Sequence, residues 1–153
     1  MITFRFEDTI GRSAEDVWAL AADINRHPEW MGVTEATILS GDSTTIGGHG
    51  REVVTMGPFR WVMDFVVTAA TPGRRIGWRA TGGGPFTGEM TLDLEPLGPS
   101  SSRASWHGEV KVRGLWRLLT PIMAKEVRAG EAGELQRLKT LAEGSEPAGP
   151  AGA

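Results

Sequence analysis

The stretch SAEDVWALAADINRHPEW, Ser13 to Trp30, sets the frame for the rest of the chain. Ser13 is a good helix N-cap, and Asp16 three residues later completes a capping-box-like pair. Glu15 and Asp16 suit the positive end of a helix. Val17, Leu20, Ala21 and Ile24 recur at helical spacing. Pro28 interrupts this helix or starts another short turn, with Trp30 and Met31 as its apolar anchors. Two short helices are therefore expected here.

The chemistry on either side is different. Upstream, Ile2, Phe4, Phe6 and Ile10 share one parity, and Thr3, Arg5, Glu7 and Thr9 the other. Period two with one wet face reads as a strand over 2–10. Downstream, strands are expected near 33–41, 47–56, 59–70, 75–81, 86–95 and 103–113. Between them lie Gly41-Asp42-Ser43, Gly57-Pro58, Thr71-Pro72-Gly73, Gly82-Gly83-Gly84-Pro85 and Pro96-Leu97-Gly98-Pro99. Short connections favour an antiparallel meander of seven strands.

Parity assigns the faces. Phe59, Trp61, Met63, Phe65 and Val67 look one way, and Arg60 and Asp64 the other. Ile76, Trp78 and Ala80 oppose Arg75 and Arg79. Phe86, Met90, Leu92 and Leu94 oppose Thr87, Glu89, Thr91 and Asp93. Ala104, Trp106, Val110 and Val112 oppose His107, Glu109 and Lys111. The facing of the third strand stays open, because Val53 and Val54 put one aliphatic on each parity.

Gly114 ends the last strand. Leu115, Trp116, Leu118 and Leu119 make one apolar turn, and Thr120-Pro121 then looks like a helix start. Met123, Val127, Leu138 and Leu141 lie on a broad stripe, with Leu135 at its edge. The chain is read as one α+β domain over 1–143, followed by a disordered tail over 144–153 rich in Gly, Pro and Ala. A sheet with one apolar face and a helix with one apolar stripe must cover each other. The economical solution wraps a curved sheet round the long C-terminal helix, and the gap that leaves is a cavity.

Composition excludes several function classes. With 16 basic and 19 acidic residues among 153, the net charge is −3, which argues against nucleic-acid binding driven by bulk charge. The absence of Cys removes disulfides, thiolate zinc sites and a cysteine nucleophile. The absence of Tyr removes phenol chemistry. The N-terminus shows no secretory h-region, and no window approaches the ~20 apolar residues of a membrane span. A cytoplasmic protein without stable membrane insertion is expected. His27, His49 and His107 show no close ligand spacing, so neither a metal site nor a cofactor is expected.

The order of elements and the Ser13–Trp30 stretch resemble the START/Bet v 1-like (SRPBCC) superfamily, in its polyketide cyclase/dehydrase-like branch. The Val17-Trp18 pair, Pro28-Glu29-Trp30 and the run TAATPGRRIGWRA from Thr68 to Ala80 match that pattern. The resemblance implies a helix-grip fold with a hydrophobic pocket between sheet and C-terminal helix. Members bind lipids, hormones or polyketides, and only some are enzymes.

Three functions stay open. The first is binding of a small hydrophobic molecule by Trp30, Trp61, Met63, Phe65, Trp78, Phe86, Met90, Trp106, Leu119, Met123 and Val127; the same residues could simply fill a core. Gly130 and Gly133 would leave room for a ligand or mark a kink. The second is a cyclase, aromatase or dehydratase using Arg51, Glu52 and His49. A buried Arg aims fixed positive charge at a developing enolate; an ordinary cross-strand ion pair is the alternative. The third is a protein-interaction or chaperone-cofactor module with an exposed patch near Trp116 and the 82–86 loop. A homodimer through an edge strand or Trp116 would leave no signature in the sequence.

Overall fold

The structure is a computed structural model that describes residues 1–144. The tail expected over 144–153 lies, from 145 onward, outside the described residues. The elements run β1 (Ile2–Ile10), α1 (Ala14–Ala22), a 3-10 turn (Ile24–Arg26), α2 (His27–Trp30), β2 (Val33–Ser40), β3 (His49–Met56), β4 (Phe59–Thr71), β5 (Arg75–Gly82), β6 (Phe86–Gly98), β7 (Ser101–Val112), a 3-10 segment (Gly114–Leu119) and α3 (Thr120–Gly144). The strands form one seven-stranded antiparallel sheet in the order β1-β7-β6-β5-β4-β3-β2. This is the curved sheet, long C-terminal helix and pair of short helices that the sequence implies.

The N-terminal helices form for the reasons the sequence offers. The Ser13 hydroxyl accepts the Asp16 backbone N–H at 3.1 Å, satisfying one orphan donor of α1. Asp23 does the same for Asn25 at 3.0 Å in the next turn. Val17, Trp18, Ala21 and Ala22 are buried against the sheet. The Trp18 indole donates to the Arg75 carbonyl at 2.7 Å, which ties α1 to the start of β5.

Two boundaries differ from expectation. The sequence puts a turn at Pro96–Pro99, but β6 continues to Gly98 and β7 begins at Ser101. Proline has no N–H to give to a ladder, and here the register slips between Pro96 and Gly98. Such a bulge lets the strands run past it. Likewise β3 starts at His49 rather than 47. Gly47 and Gly48 instead exchange backbone bonds with Val67, at 2.9 and 2.8 Å, as part of a loop.

Helix α3 is pinned mainly to one side of the sheet. It packs on β1, β7, α1 and α2. Arg128 donates to the Thr3 carbonyl at 3.1 Å, Lys139 pairs with Asp8 at 3.2 Å, and Arg12 reaches the Ala142 carbonyl at 2.8 Å. Its buried residues are Met123 near the start and Glu134, Leu135, Leu138 and Ala142 toward the end. Between Met123 and Glu134 no side chain of the helix is fully buried, and on the side of β3 to β6 the helix leaves a space. A Cβ on Gly130 would meet no atom within 4 Å. Gly130→Ala should therefore stabilise the fold, by up to about 1 kcal/mol, through helix propensity alone. Urea unfolding would check it, and a loss of stability would mean that the helix is strained at that point.

Candidate functional site

The stand-off leaves a cavity of about 320 Å³ between α3 and the concave face of β3 to β6. Most of its wall is soft and apolar. Met31, Met56, Met63 and Met90 line it with Phe65, Trp78 and Phe86, and Ala80 and Gly130 contribute little bulk. Methionine's unbranched thioether fits irregular shapes, so such a wall can adapt to more than one apolar outline. Gly50 opposes Phe65 across β3 and β4, and a Cβ there would strike the Phe65 ring. The missing side chain lets that ring lie over β3.

Behind the cavity wall is a packed aromatic block. Trp30, Trp78 and Trp106 meet at centroid distances of 5.6 to 6.3 Å. His27 packs edge-on against Trp78 at 5.3 Å and is fully buried. Its Nε2 lies 3.0 Å from the Ala21 carbonyl, which can only accept, so Nε2 carries hydrogen. Its Nδ1 lies 2.7 Å from Glu52 Oε1.

A second acidic group lies on α3. Glu131 and Glu134, three residues apart, both line the cavity. The Trp106 indole donates to Glu131 Oε2 at 2.8 Å, and the Gly32 N–H donates to Glu134 Oε1 at 2.6 Å. Burial raises the pKa of both carboxyls. Glu134 is raised well above its ordinary 4.5, first by burial and then by the neighbouring Glu131 charge. Arg137, one turn on, opposes both shifts without cancelling them. Burial and the Glu131 charge both favour the protonated form of Glu134. Glu134 Oε2 is buried and has no hydrogen-bond partner among the described residues.

This pair has a stability signature. Over the interval between 4.5 and the raised value, the folded chain holds a proton that the unfolded chain has lost. Stability from this group falls as pH rises through that interval. Glu134→Gln keeps an acceptor for Gly32 but cannot ionise. Its Tm relative to the parent should climb as the pH rises above 4.5. A pH-independent difference would mean that Glu134 ionises normally.

The residues singled out by sequence fall in several places. Met63, Phe65, Trp78, Phe86, Met90 and Val127 line the cavity. Trp30 and Trp106 sit in the aromatic block beside it. Trp61 and Met123 belong to a smaller cluster with Phe86 and Val112, into which Met63 and Val127 also pack. Leu119 is exposed. Of the three catalytic candidates, Glu52 reaches the cavity. Arg51 is exposed and holds Asp64 through two bonds of 2.7 and 3.1 Å. His49 lies opposite Val66 at the start of β3, outside the cavity wall. Among the described residues, no three His, Cys, Asp or Glu side chains converge as a metal site would require.

Glu131 and Glu134 are not among those candidates, although the sequence carries a signal for them. The inward stripe of α3 runs 123, 127, 138, 141, and its missing helical steps are 131 and 134. Two acids stand where the spacing asks for apolar side chains.

A family profile described as "Polyketide cyclase / dehydrase and lipid transport" matches residues 1–143. No curated protein sequence matches. Solved structures share the fold at low identity. A Thermus thermophilus protein superposes with TM-score 0.77 at 19% identity, covering 94% of this chain and 99% of its own. The Zhui aromatase/cyclase from a Streptomyces species gives TM-score 0.75 at 16% identity, with 92% and 93% covered. A START superfamily protein from Mycobacterium smegmatis gives 0.67 at 18%, with 90% and 99% covered.

Proposed function

The chain belongs to the polyketide cyclase/dehydrase and lipid transport family, and from that premise we propose that it binds one small hydrophobic molecule between its sheet and α3. The observation that carries this reading is the cavity itself. About 320 Å³ of concave space, partly open to solvent, lies here against a wall of methionine and aromatic side chains. That volume lies at the small end of the usual ligand range. An aromatic, lipid-like or polyketide-like body of modest size would fit. Trp78 lines that space, and its buried indole N–H has no partner in the protein.

The test is intrinsic tryptophan emission, titrated with aromatic, fatty and polyketide-like compounds. A saturable one-to-one change is expected for at least one class. A flat response across all classes, with the chain folded, would contradict the reading.

A second reading is favoured by the Glu131–Glu134 pair. A carboxyl whose pKa is raised by burial, beside a second carboxyl, can give and take a proton within one apolar site. On this reading the chain is a cyclase-, aromatase- or dehydratase-type enzyme, with Glu134 as acid and Glu52 on the opposite wall. Arg51→Ala and His49→Ala should then leave turnover of a bound ligand within about twofold. Glu52→Gln and Glu134→Gln should each lower it by about a hundredfold or more. Equal turnover in all four variants would leave the binder reading alone.

A further inference from the structure

Between Glu109 and Glu126 the chain carries no acidic residue, while Lys111, Arg113, Arg117 and Lys125 are all basic. None of the four takes part in an ion pair among the described residues. This is a local excess of positive charge in a chain whose net charge is −3.

The same segment turns its aliphatic side chains outward. Leu115, Leu118, Leu119 and Ile122 are 85%, 81%, 43% and 69% exposed. Their spacing, i, i+3, i+4, i+7, is that of one helical face. In most helices that face looks into the core, but here it looks into solvent. Trp116 explains the direction. It packs inward on Phe59 at 5.3 Å and Trp61 at 6.1 Å, and Met123 follows it into the same cluster. Holding that face down leaves the leucine face up. Such a cluster of exposed aliphatics is large for a surface with no partner.

We propose that this aliphatic face, centred on Leu115, Leu118 and Ile122 and accompanied along the chain by the four basic residues, docks the protein peripherally on an anionic lipid surface. The apolar members of the patch offer no hydrogen-bonding side chain, and beside them Lys111, Arg113 and Arg117 line a wide, open depression with Thr87 and Thr120. Hydrocarbon asks for no hydrogen bond, while the four cations suit anionic headgroups. A second copy of the chain is a poor occupant, since a two-fold contact would set the same four cations against themselves. Docking would be peripheral, because no described helix is long and apolar enough to cross a membrane. It stands independently of what the cavity holds.

The experiment is co-sedimentation of the full chain with phosphatidylcholine vesicles, with and without phosphatidylglycerol. Binding is expected to the anionic vesicles and to weaken with added salt. The variant L115S/L118S/I122S changes side chains that touch little, so its Tm should match the parent. It should lose binding by about tenfold or more. R113E/R117E should remove the preference for phosphatidylglycerol. Absence of sedimentation by the parent at low salt would overturn the proposal, as would undiminished binding by the folded triple-serine variant. Dimerisation that is lost in that variant, without vesicle binding, would overturn it in favour of a protein interface.

Discussion

Ala80→Trp is expected to abolish binding of an apolar ligand and to leave the fold standing. Ala80 pairs with Phe65 across β4 and β5 and points to the same face, into the cavity. An indole built there takes up much of the space a ligand would use. Displacing even one or two leucine-sized groups from burial removes about 2–3 kcal/mol, or about thirty- to a hundredfold in affinity. Overpacking a dense core costs about 1–3 kcal/mol, but here the new ring enters a void, and cavity filling commonly adds stability. Titration of the best ligand into parent and variant, with a melt of each, would read both effects. Unchanged affinity would place the ligand elsewhere on the molecule.

Trp106→Ala should have the largest effect on stability. Trp106 is fully buried and packs on Trp30, Trp78 and Phe4. Truncating such a residue costs about 3–5 kcal/mol, a large part of the about 5–15 kcal/mol that holds a domain together. The change also strips Glu131 of its indole donor. Trp106→Phe separates the two causes. It keeps most of the ring and loses the hydrogen bond, so a cost of about 1–3 kcal/mol is expected. Urea unfolding of both variants would test this, and a Trp106→Ala cost under about 1 kcal/mol would mean that the aromatic block is not a core.

The strand count and the inward faces of β5 to β7 were legible because one side of those strands is wet. Arg75, Arg79, Glu89 and Asp93 pair with one another on that side, and His107 joins Asp93 at 2.7 Å. The facing of β3 was not legible, because Val53 and Val54 offer an aliphatic on each parity. Glu52 owes its inward position to His27, which is distant in sequence and buried by tertiary packing. The acid pair on α3 left a signal, two acids at apolar steps of the stripe, but not one that places them at a cavity. A carboxylate at helical spacing reads as solvated unless the sheet is known to cover it. The leucines of 115–122 show the converse limit. Periodicity marks an apolar face but does not say which way it points, and here Trp116 on the opposite side decides. The cavity's place and size were not legible either, because a helix standing off its sheet leaves no period in the sequence.

The most direct test of the cavity reading is the indole N–H resonance of Trp78. Of the six tryptophans, all among the described residues, Trp78 is the one in the cavity wall, and its N–H is buried without a partner. In a titration with the ligand selected by fluorescence, that resonance should move or broaden saturably at one equivalent. Those of Trp18 and Trp106, held by Arg75 and Glu131, should move far less. A ligand that binds one to one and leaves Trp78 unmoved while shifting other indoles would contradict the account.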